Sequence, residues 1–356
     1  MTRPAGAPPP IPLTVLTGFL GAGKTTLLNA VLPDPAMAGT LVVINEFGAV
    51  GLDHHLIEMP QDDLVLLASG CLCCTIRGDL IRLLEDLLRR RDNRRMPAFE
   101  RLVIETTGLA DPVPVLAAVL AHPYLSLRYA LAGVTTVVDA EAGAATLHRY
   151  PEARRQVALA DALVLTKTDR APHGAAALSA RLAALAPAAR QLTPAEVIAN
   201  PVGVFGAGLF DLAARPEEAR RWLYGEAIRA DRALAHDKAA HDPDKHSDSL
   251  RGTHVVSHVG LSFAELGTFL GGFGAFGPGL LRLKGLVRLT ETPDRPVAVH
   301  QVQGKQQPFR HLPRWPDEDR RTRLVMIADG IAPERLVAYC QAFFDAVSGE
   351  SGTKLE

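Results

Sequence analysis

The chain has 356 residues, which is enough for two domains of ordinary size. Apolar residues make up 47% of it and charged residues 22%, fractions that are typical of soluble globular proteins. The 38 Lys and Arg residues balance the 39 Asp and Glu residues, which leaves a formal net charge of −1. Because the chain carries no global basic field, we expect neither nucleic acid nor an anionic membrane as a partner.

Targeting signals are not visible in the sequence. The N-terminal residues 1–11 are rich in Pro and small side chains, lack the apolar segment of a signal peptide and predict a disordered tail. No later stretch reaches the ~18 consecutive apolar residues that a membrane span needs. We therefore expect a cytoplasmic protein.

From residue 12 to about 210, short apolar runs alternate with longer amphipathic stretches. Continuous apolar runs are typical of strands buried on both faces of a parallel sheet, and repeated β–α alternation indicates a doubly wound α/β domain. The predicted strands are 13–17, 40–44, 63–67, 101–105, 133–139 and 162–166, and helical patterns cover 24–32, 77–91 and 174–185.

Residues 211–252 are charged and polar and include His236, His241 and His246, with His254 and His258 just beyond. The interleaved Asp and Lys residues favour a solvated linker, although imidazoles in such a segment could also collect metal ions weakly. Residues 253–350 predict a smaller α+β domain with a helix-backed antiparallel sheet. Its predicted strands are 255–262, 280–290, 297–303 and 323–328, and its predicted helices are 263–270 and 333–347.

The segment from Gly18 to Thr25 matches the phosphate-binding pattern G-x-x-x-x-G-K-[ST] between a predicted strand and a predicted helix. Glycines allow the tight turn that aims successive backbone N–H groups at phosphate oxygens, and the helix N-terminus adds partial positive charge. The Lys side chain reaches the β- and γ-phosphates, and the Thr hydroxyl can ligate Mg²⁺. The predicted nucleotide-binding residues here are Gly18, Gly21, Ala22, Gly23, Lys24, Thr25 and Thr26.

An acidic residue at the end of a second strand is expected to support Mg²⁺ beside this loop. Glu105 is the preferred candidate, because Gly108 follows it closely and could approach a γ-phosphate. Asp139 is the alternative candidate, but a role as a cap on the following helix is the more ordinary interpretation of that residue.

Base recognition is assigned to Thr166, Lys167 and Asp169, which follow a late apolar strand. A carboxylate there can accept hydrogen bonds from N1–H and the exocyclic amine of guanine, whereas adenine offers no such donor pair. Adenine would leave the carboxylate unpaired, which is costly, so we expect GTP rather than ATP.

Three of the four cysteines, Cys71, Cys73 and Cys74, lie within four positions. Thiolates are soft ligands that favour Zn²⁺ and Cu(I), and three of them leave one tetrahedral position open, as a site that passes on its ion requires. A redox pair or buried structural cysteines remain open alternatives. Cys340, on the last predicted helix, is expected to be a core residue.

These motifs, in this order, resemble those of CobW-type GTPases, the cobalamin-synthesis-W-like branch of P-loop metallochaperones. The segments that carry the resemblance are TGFLGAGKTTLLN at 17–29, INEFGAVGLD at 44–53, GCLCC at 70–74, VIETTGLADP at 103–112, TKTD at 166–169, LLRLKGLVRL at 280–289 and RLVMIADG at 323–330. The guanine motif departs from the usual N-K-x-D, since Thr166 replaces Asn.

The resemblance implies a slow, metal-responsive GTPase that requires Mg²⁺ and loads a client metalloprotein with Zn²⁺ or, in some branches, Co²⁺. It implies that the three clustered cysteines hold the transported ion. It also implies that Glu46 and Asp53 belong to a loop that senses the γ-phosphate and Mg²⁺. The predicted catalytic set therefore joins these two residues to Lys24, Thr25 and Glu105.

The function predicted from the sequence is that of a GTP-hydrolysing metallochaperone that delivers its ion in a nucleotide-dependent way. Two alternatives remain open at this point. The chain could be a nucleotide-gated metal sensor or regulator, or a P-loop phosphotransferase whose cysteines are structural.

Overall fold

The computed structural model describes residues 8–45, 64–67, 75–171, 174–187, 189–206 and 249–349. The chain forms two compact units. The N-terminal unit comprises Arg3–Ala184 and Ala189–Leu209, and the C-terminal unit is built mainly from Phe210–Glu356. Within the described ranges, no helix is both long enough and apolar enough to cross a membrane.

The N-terminal unit is built around a sheet of seven parallel strands in the order β3-β2-β4-β1-β5-β6-β7. The strands are β1 (Ile11–Thr17), β2 (Thr40–Asn45), β3 (Leu64–Leu67), β4 (Arg101–Thr106), β5 (Tyr129–Asp139), β6 (Ala162–Thr166) and β7 (Arg190–Leu192). Parallel strands need crossover connections, and helices provide them between β1 and β2 and between successive strands from β3 to β7. The predicted α/β class with a mostly parallel sheet is therefore confirmed.

Most helices of this unit connect its strands, and the last two follow β7. They are α1 (Lys24–Val31), α2 (Thr75–Asp92), α3 (Val113–Ala121), α4 (Pro123–Arg128), α5 (Gly143–Arg149), α6 (Pro151–Ala158), α7 (Ala175–Leu185), α8 (Pro194–Ala199) and α9 (Val202–Phe205). The unit also contains two short 3-10 turns, at Pro35–Met37 after α1 and at Thr168–Arg170 after β6.

The core of the N-terminal unit explains the apolar runs of its strands. Leu16, Val103, Val137 and Val164 come from four adjacent strands, and each side chain is at most 1% exposed. The helix α1 contributes its own apolar face to the same cluster. Removal of this apolar surface from water stabilises the sheet and fixes the position of the helix that begins at Lys24.

The C-terminal unit contains an antiparallel sheet in the order β11-β10-β9-β13-β8, with β12 also paired to β10. Its strands are β8 (Leu250–Ser257), β9 (Leu280–Val287), β10 (Val297–Val302), β11 (Lys305–Gln306), β12 (Arg310–His311) and β13 (Thr322–Asp329), and its helices are α10 (Phe263–Gly272) and α11 (Pro333–Ser348). The predicted smaller α+β domain is confirmed.

One face of this antiparallel sheet packs against the two helices. Phe269 of α10 and Tyr339 of α11 stack with ring centroids 5.7 Å apart, and Phe273 meets the Tyr339 ring edge-on. Cys340 is fully buried in the same cluster, as expected, and burial raises the pKa of its thiol to about 12. This cysteine is therefore a packing residue.

Several predicted boundaries are wrong. Strand β8 begins at Leu250, inside the segment 211–252 that was interpreted as a linker, and it ends at Ser257 rather than at 262. The first residues of β8 pair with β13. Backbone hydrogen bonds to β13 hold them in the sheet, although several of their side chains are exposed. Ile11, assigned to the disordered tail 1–11, belongs to β1 and pairs with Tyr129.

Candidate nucleotide site

The carboxyl ends of four strands bring the predicted site residues together. In a parallel sheet these ends share one edge, and ligands of open α/β sheets bind there. Strand β1 leads into the glycine-rich loop and its neighbour β4 ends in Glu105 and Thr106. On the other side of β1, strand β5 ends at Asp139 and β6 leads to Lys167.

The glycine-rich loop has the backbone of a phosphate cradle. Gly18, Gly21 and Gly23 have φ of +138°, +72° and +96°, a region that glycine adopts with little strain. Lys24 begins α1, and its Nζ donates to the carbonyl oxygens of Gly18 at 2.9 Å and Phe19 at 3.4 Å. The ammonium therefore lies over the loop, where a phosphate group would find a cation and the start of a helix.

Two hard oxygen ligands lie together beside this loop. The Thr25 hydroxyl donates to Oε1 of Glu105 at 3.0 Å, and Glu105 is only 5% exposed. The next residue is also fixed, because the Thr106 hydroxyl donates to that of Thr17 at 2.8 Å in a buried contact. A hydroxyl and a carboxylate suit Mg²⁺, which prefers oxygen, so these residues fit the expected ion.

The turn after β4 lies directly against the glycine-rich loop. A side chain at Gly108 would come within 2.4 Å of the backbone nitrogen of Leu20, so a residue larger than glycine would collide with backbone. Gly108 was expected to approach a γ-phosphate, and the geometry puts it next to the loop that would hold the preceding phosphates.

The predicted base-recognition residues are tied to the same loop. The Thr166 hydroxyl donates to the Ala22 carbonyl at 2.7 Å, so the Thr that replaces the usual Asn still holds the loop. Lys167 adopts the left-handed region with φ of +55°, and its Nζ donates to the Gly21 carbonyl at 2.9 Å. Asp169 lies exposed in the 3-10 turn that follows, where a base could reach its carboxylate.

Asp139 combines a capping role with an ion pair. Its Oδ1 accepts from the backbone N–H groups of Glu141 and Ala142 just before α5, and its Oδ2 accepts from Lys167 Nζ at 2.6 Å. Burial would raise the pKa of Asp139, but the hydrogen bonds from Lys167 and from the backbone hold that pKa below its ordinary value. Asp139 therefore supports the base-recognition turn, while Glu105 is the acid beside Thr25.

The remaining predicted site residues are Thr26, on α1, and a set that lies outside the described residues. Thr26 is exposed on the first turn of α1. The described part of the chain contains no group of three or more His, Cys, Asp or Glu side chains placed to hold a metal ion. The predicted residues that lie outside the described residues are Glu46, Asp53, Cys71, Cys73, Cys74, His236, His241 and His246.

One buried polar residue of the site, Gln156 on α6, was not predicted. Its Nε2 donates to the carbonyl oxygens of Gly108 at 3.1 Å and Ala110 at 2.9 Å, and the residue is 1% exposed. The sequence could have indicated Gln156 by its position, because it lies on the helix face that also buries Ala153 and Val157. An apolar residue would be the ordinary choice on that face.

Two protein-family models match this chain. The model described as the CobW/HypB/UreG nucleotide-binding domain covers residues 12–193. The model described as the cobalamin synthesis protein cobW C-terminal domain covers residues 251–343. The match of the first model ends one residue after β7, and that of the second begins in β8, so each falls mainly on one of the two compact units.

Similar proteins carry names that refer to zinc. Zinc chaperone CobW of Pseudomonas aeruginosa is 32% identical over 354 residues, covering 89% of this chain and 87% of that protein. Zinc chaperone YjiA of Escherichia coli is 43% identical over 160 residues, which is 45% of this chain and only 50% of YjiA. Zinc-regulated GTPase metalloprotein activator 1 of Schizosaccharomyces pombe is 36% identical over 167 residues, 45% of this chain and 39% of that protein.

A solved structure extends the similarity to both units. The crystal structure of Zn(II)-bound YjiA GTPase from E. coli superposes with a TM-score of 0.61 at 25% identity. The superposition covers 94% of this chain and 99% of that chain. The fold, including the antiparallel C-terminal sheet, is therefore shared with a GTPase that has been crystallised with zinc.

Proposed function

Because this chain belongs to the CobW family, we propose that it is a GTP-hydrolysing chaperone that carries Zn²⁺ to a client metalloprotein. Members of this family that resemble it are named as zinc chaperones and GTPases. The observation that carries the proposal is the contact of Thr25 with Glu105 at 3.0 Å beside a loop that Thr166 and Lys167 also hold.

The proposed reaction is attack of water on the γ-phosphate of GTP. Lys24 and the N-terminus of α1 would stabilise the negative charge that spreads over the phosphate oxygens. Thr25 and Glu105 would hold Mg²⁺, which supplies charge neutralisation between the β- and γ-phosphates when it is bound. We expect slow hydrolysis, because no Gln or His was identified in the sequence at an obvious position for orienting the attacking water.

Guanine recognition is the second part of the proposal. Asp169 would accept the two guanine donors, and Lys167, fixed by Gly21 and Asp139, would border the base. Adenine offers no such pair of donors and would forgo both hydrogen bonds to Asp169. The proposed nucleotide is therefore GTP.

The proposed cargo is Zn²⁺ held by Cys71, Cys73 and Cys74, with Co²⁺ as the other ion that such a thiolate set accepts. These cysteines come between Leu67, the last residue of β3, and Thr75, the first residue of α2. Strand β3 ends at the same edge of the sheet as β1 and β4, from which the phosphate-binding segments arise. This shared edge supports a coupling between nucleotide and metal.

We propose that GTP strengthens zinc binding and that hydrolysis weakens it. Glu46 and Asp53, which come after β2 in the sequence, would respond to the γ-phosphate together with the cysteine segment. Such nucleotide-dependent ordering is a known device of GTPases. Linkage requires that zinc strengthens GTP binding by the same factor by which GTP strengthens zinc binding.

The test is GTP turnover with and without Zn²⁺, measured as phosphate release for the wild type and Cys73→Ser. We expect zinc to change turnover in the wild type and to have no effect in Cys73→Ser. Cys340→Ala is the matched control, because it removes a cysteine from the core of the C-terminal unit and should keep the zinc response. A turnover that ignores zinc in the wild type would contradict the proposal.

A further inference from the structure

We propose that Gln156 is a positioning residue that holds the Gly108 turn where it recognises the γ-phosphate, so that the chain distinguishes GTP from GDP. The inference rests on the proposed function, because it concerns the same nucleotide site. It assigns a role to α6, a helix that contributes none of the residues predicted to touch the nucleotide.

Two hydrogen bonds from Gln156 on α6 hold the Gly108 turn. The Nε2 group donates to the carbonyl oxygens of both Gly108 and Ala110, so a single amide spans the turn. The backbone of Gln156 is itself anchored to the sheet, because its carbonyl accepts the Thr136 hydroxyl at 2.7 Å in a buried contact. The turn is thereby tied to β5 through one buried side chain.

The turn is held at its other end by the sheet as well. Thr106 is bonded to Thr17 at the ends of β4 and β1, and the Ala110 N–H donates to the Thr107 carbonyl at 3.1 Å. Gly108 lies between Thr106 and Ala110, which these hydrogen bonds fix, and it lies close to the backbone of Leu20. A small displacement of the turn would therefore alter its distance from the phosphate loop.

A second contact of α6 acts on the same turn. Arg155 pairs with Asp111 at 3.3 Å, and Asp111 also caps the start of α3 by accepting from the Val113 N–H. Just before α6, the Tyr150 ring packs on Phe19 of the glycine-rich loop, with centroids 4.6 Å apart. The helix and the residue just before it thus contact both segments that would face the phosphates.

The γ-phosphate is the part of the nucleotide that this arrangement would sense. The glycine-rich loop and Lys24 would hold the phosphates shared by GDP and GTP. The Gly108 turn, which follows Glu105, adds contacts only to the γ-phosphate, which GDP lacks. Loss of support for the turn should therefore weaken GTP binding more than GDP binding.

The experiment compares affinities for GDP and for the slowly hydrolysed analogue GTPγS in the wild type and Gln156→Leu. Leu keeps the volume but removes the donors to both carbonyls, so we expect the GTPγS affinity to fall about tenfold. The GDP affinity should change less than about threefold. The ratio of the two affinities is the readout, because a merely structural role would weaken both nucleotides alike.

Gln191→Leu is the matched control. Gln191 of β7 also donates its amide to a backbone carbonyl, that of Ser179 at 2.9 Å, but this contact does not involve the Gly108 turn or the glycine-rich loop. Both variants should lower the thermal midpoint, and only Gln156→Leu should change the affinity ratio. If Gln156→Leu does not fold, Arg155→Met at the half-exposed ion pair should lower the ratio about threefold.

Equal losses for GDP and GTPγS, or an unchanged ratio in the variant used, would overturn the inference and leave the proposed function standing. A wild type that binds neither nucleotide would overturn both.

Discussion

At the scale of single residues, Glu105 carries the assignment of Mg²⁺. The carboxylate is nearly buried and accepts the Thr25 hydroxyl, so Glu105→Gln would keep the hydrogen bond and remove the charge. We expect phosphate release to slow by about 10- to 100-fold and the Mg²⁺ concentration for half-maximal turnover to rise.

Asp139→Asn is the control for this variant, since Asp139 was the alternative acid for Mg²⁺. Its carboxylate is already occupied by Lys167 and two backbone N–H groups. The Mg²⁺ requirement should stay unchanged in Asp139→Asn. If the Mg²⁺ requirement rose in Asp139→Asn and stayed unchanged in Glu105→Gln, Asp139 would be the residue that supports Mg²⁺.

Asp169 decides which base is accepted. Asp169→Asn would replace an acceptor for guanine by an amide that can donate to the 2-oxo group of xanthine. We expect the GTP affinity to fall about 10- to 100-fold and the XTP affinity to rise, measured by competition against a fluorescent nucleotide. Unchanged GTP affinity would assign base recognition to another residue.

The residue scale also shows which parts of the site a sequence can reveal. Gly18, Lys24 and Thr25 lie within eight consecutive positions, so their spacing alone predicted the phosphate loop. The pair of Lys167 with Asp139 joins residues 28 positions apart, and the bond from Gln156 to Gly108 spans 48 positions. Such contacts depend on which strands become neighbours, and no local pattern encodes that.

At the scale of elements, the glycine-rich loop is constrained differently along its length. A Cβ at Gly18 would lie 2.3 Å from the Val137 carbonyl oxygen of β5, whereas a Cβ at Gly21 would meet nothing within 4 Å. Gly18→Ala should therefore lower the free energy of unfolding by about 3 kcal/mol through backbone strain and collision.

Gly21→Ala is the matched comparison for Gly18→Ala, because both residues have positive φ. Only the strain of that φ applies at Gly21, so we expect a loss of about 1 kcal/mol in chemical denaturation. Equal losses in the two variants would show that β5 does not crowd the loop.

The bounds of strand β6 were predicted well, and those of strand β8 were not. Strand β6 has the predicted bounds because all five of its residues are buried between two neighbours. Strand β8 was misplaced because its first residues are polar and partly exposed, and its pairing with β13 holds it in the sheet. The start of α10 was predicted correctly, and Ser262 and Glu265 form a capping box there.

At the scale of the whole molecule, the two units match two successive family models, and each has its own hydrophobic core. The α/β class of the first unit and the α+β class of the second were both predicted from the order of strand and helix patterns in the sequence. The metal-binding residues stay a prediction, because the three clustered cysteines lie outside the described residues.

The coupling of nucleotide to metal is the central claim. It predicts that the wild type binds Zn²⁺ more tightly with saturating GTPγS than with saturating GDP, by at least about fivefold. The measurement is zinc competition against a chromophoric chelator in the two nucleotide states, and Cys73→Ser should lose the difference. Equal zinc affinity in the two states of the wild type would contradict the account.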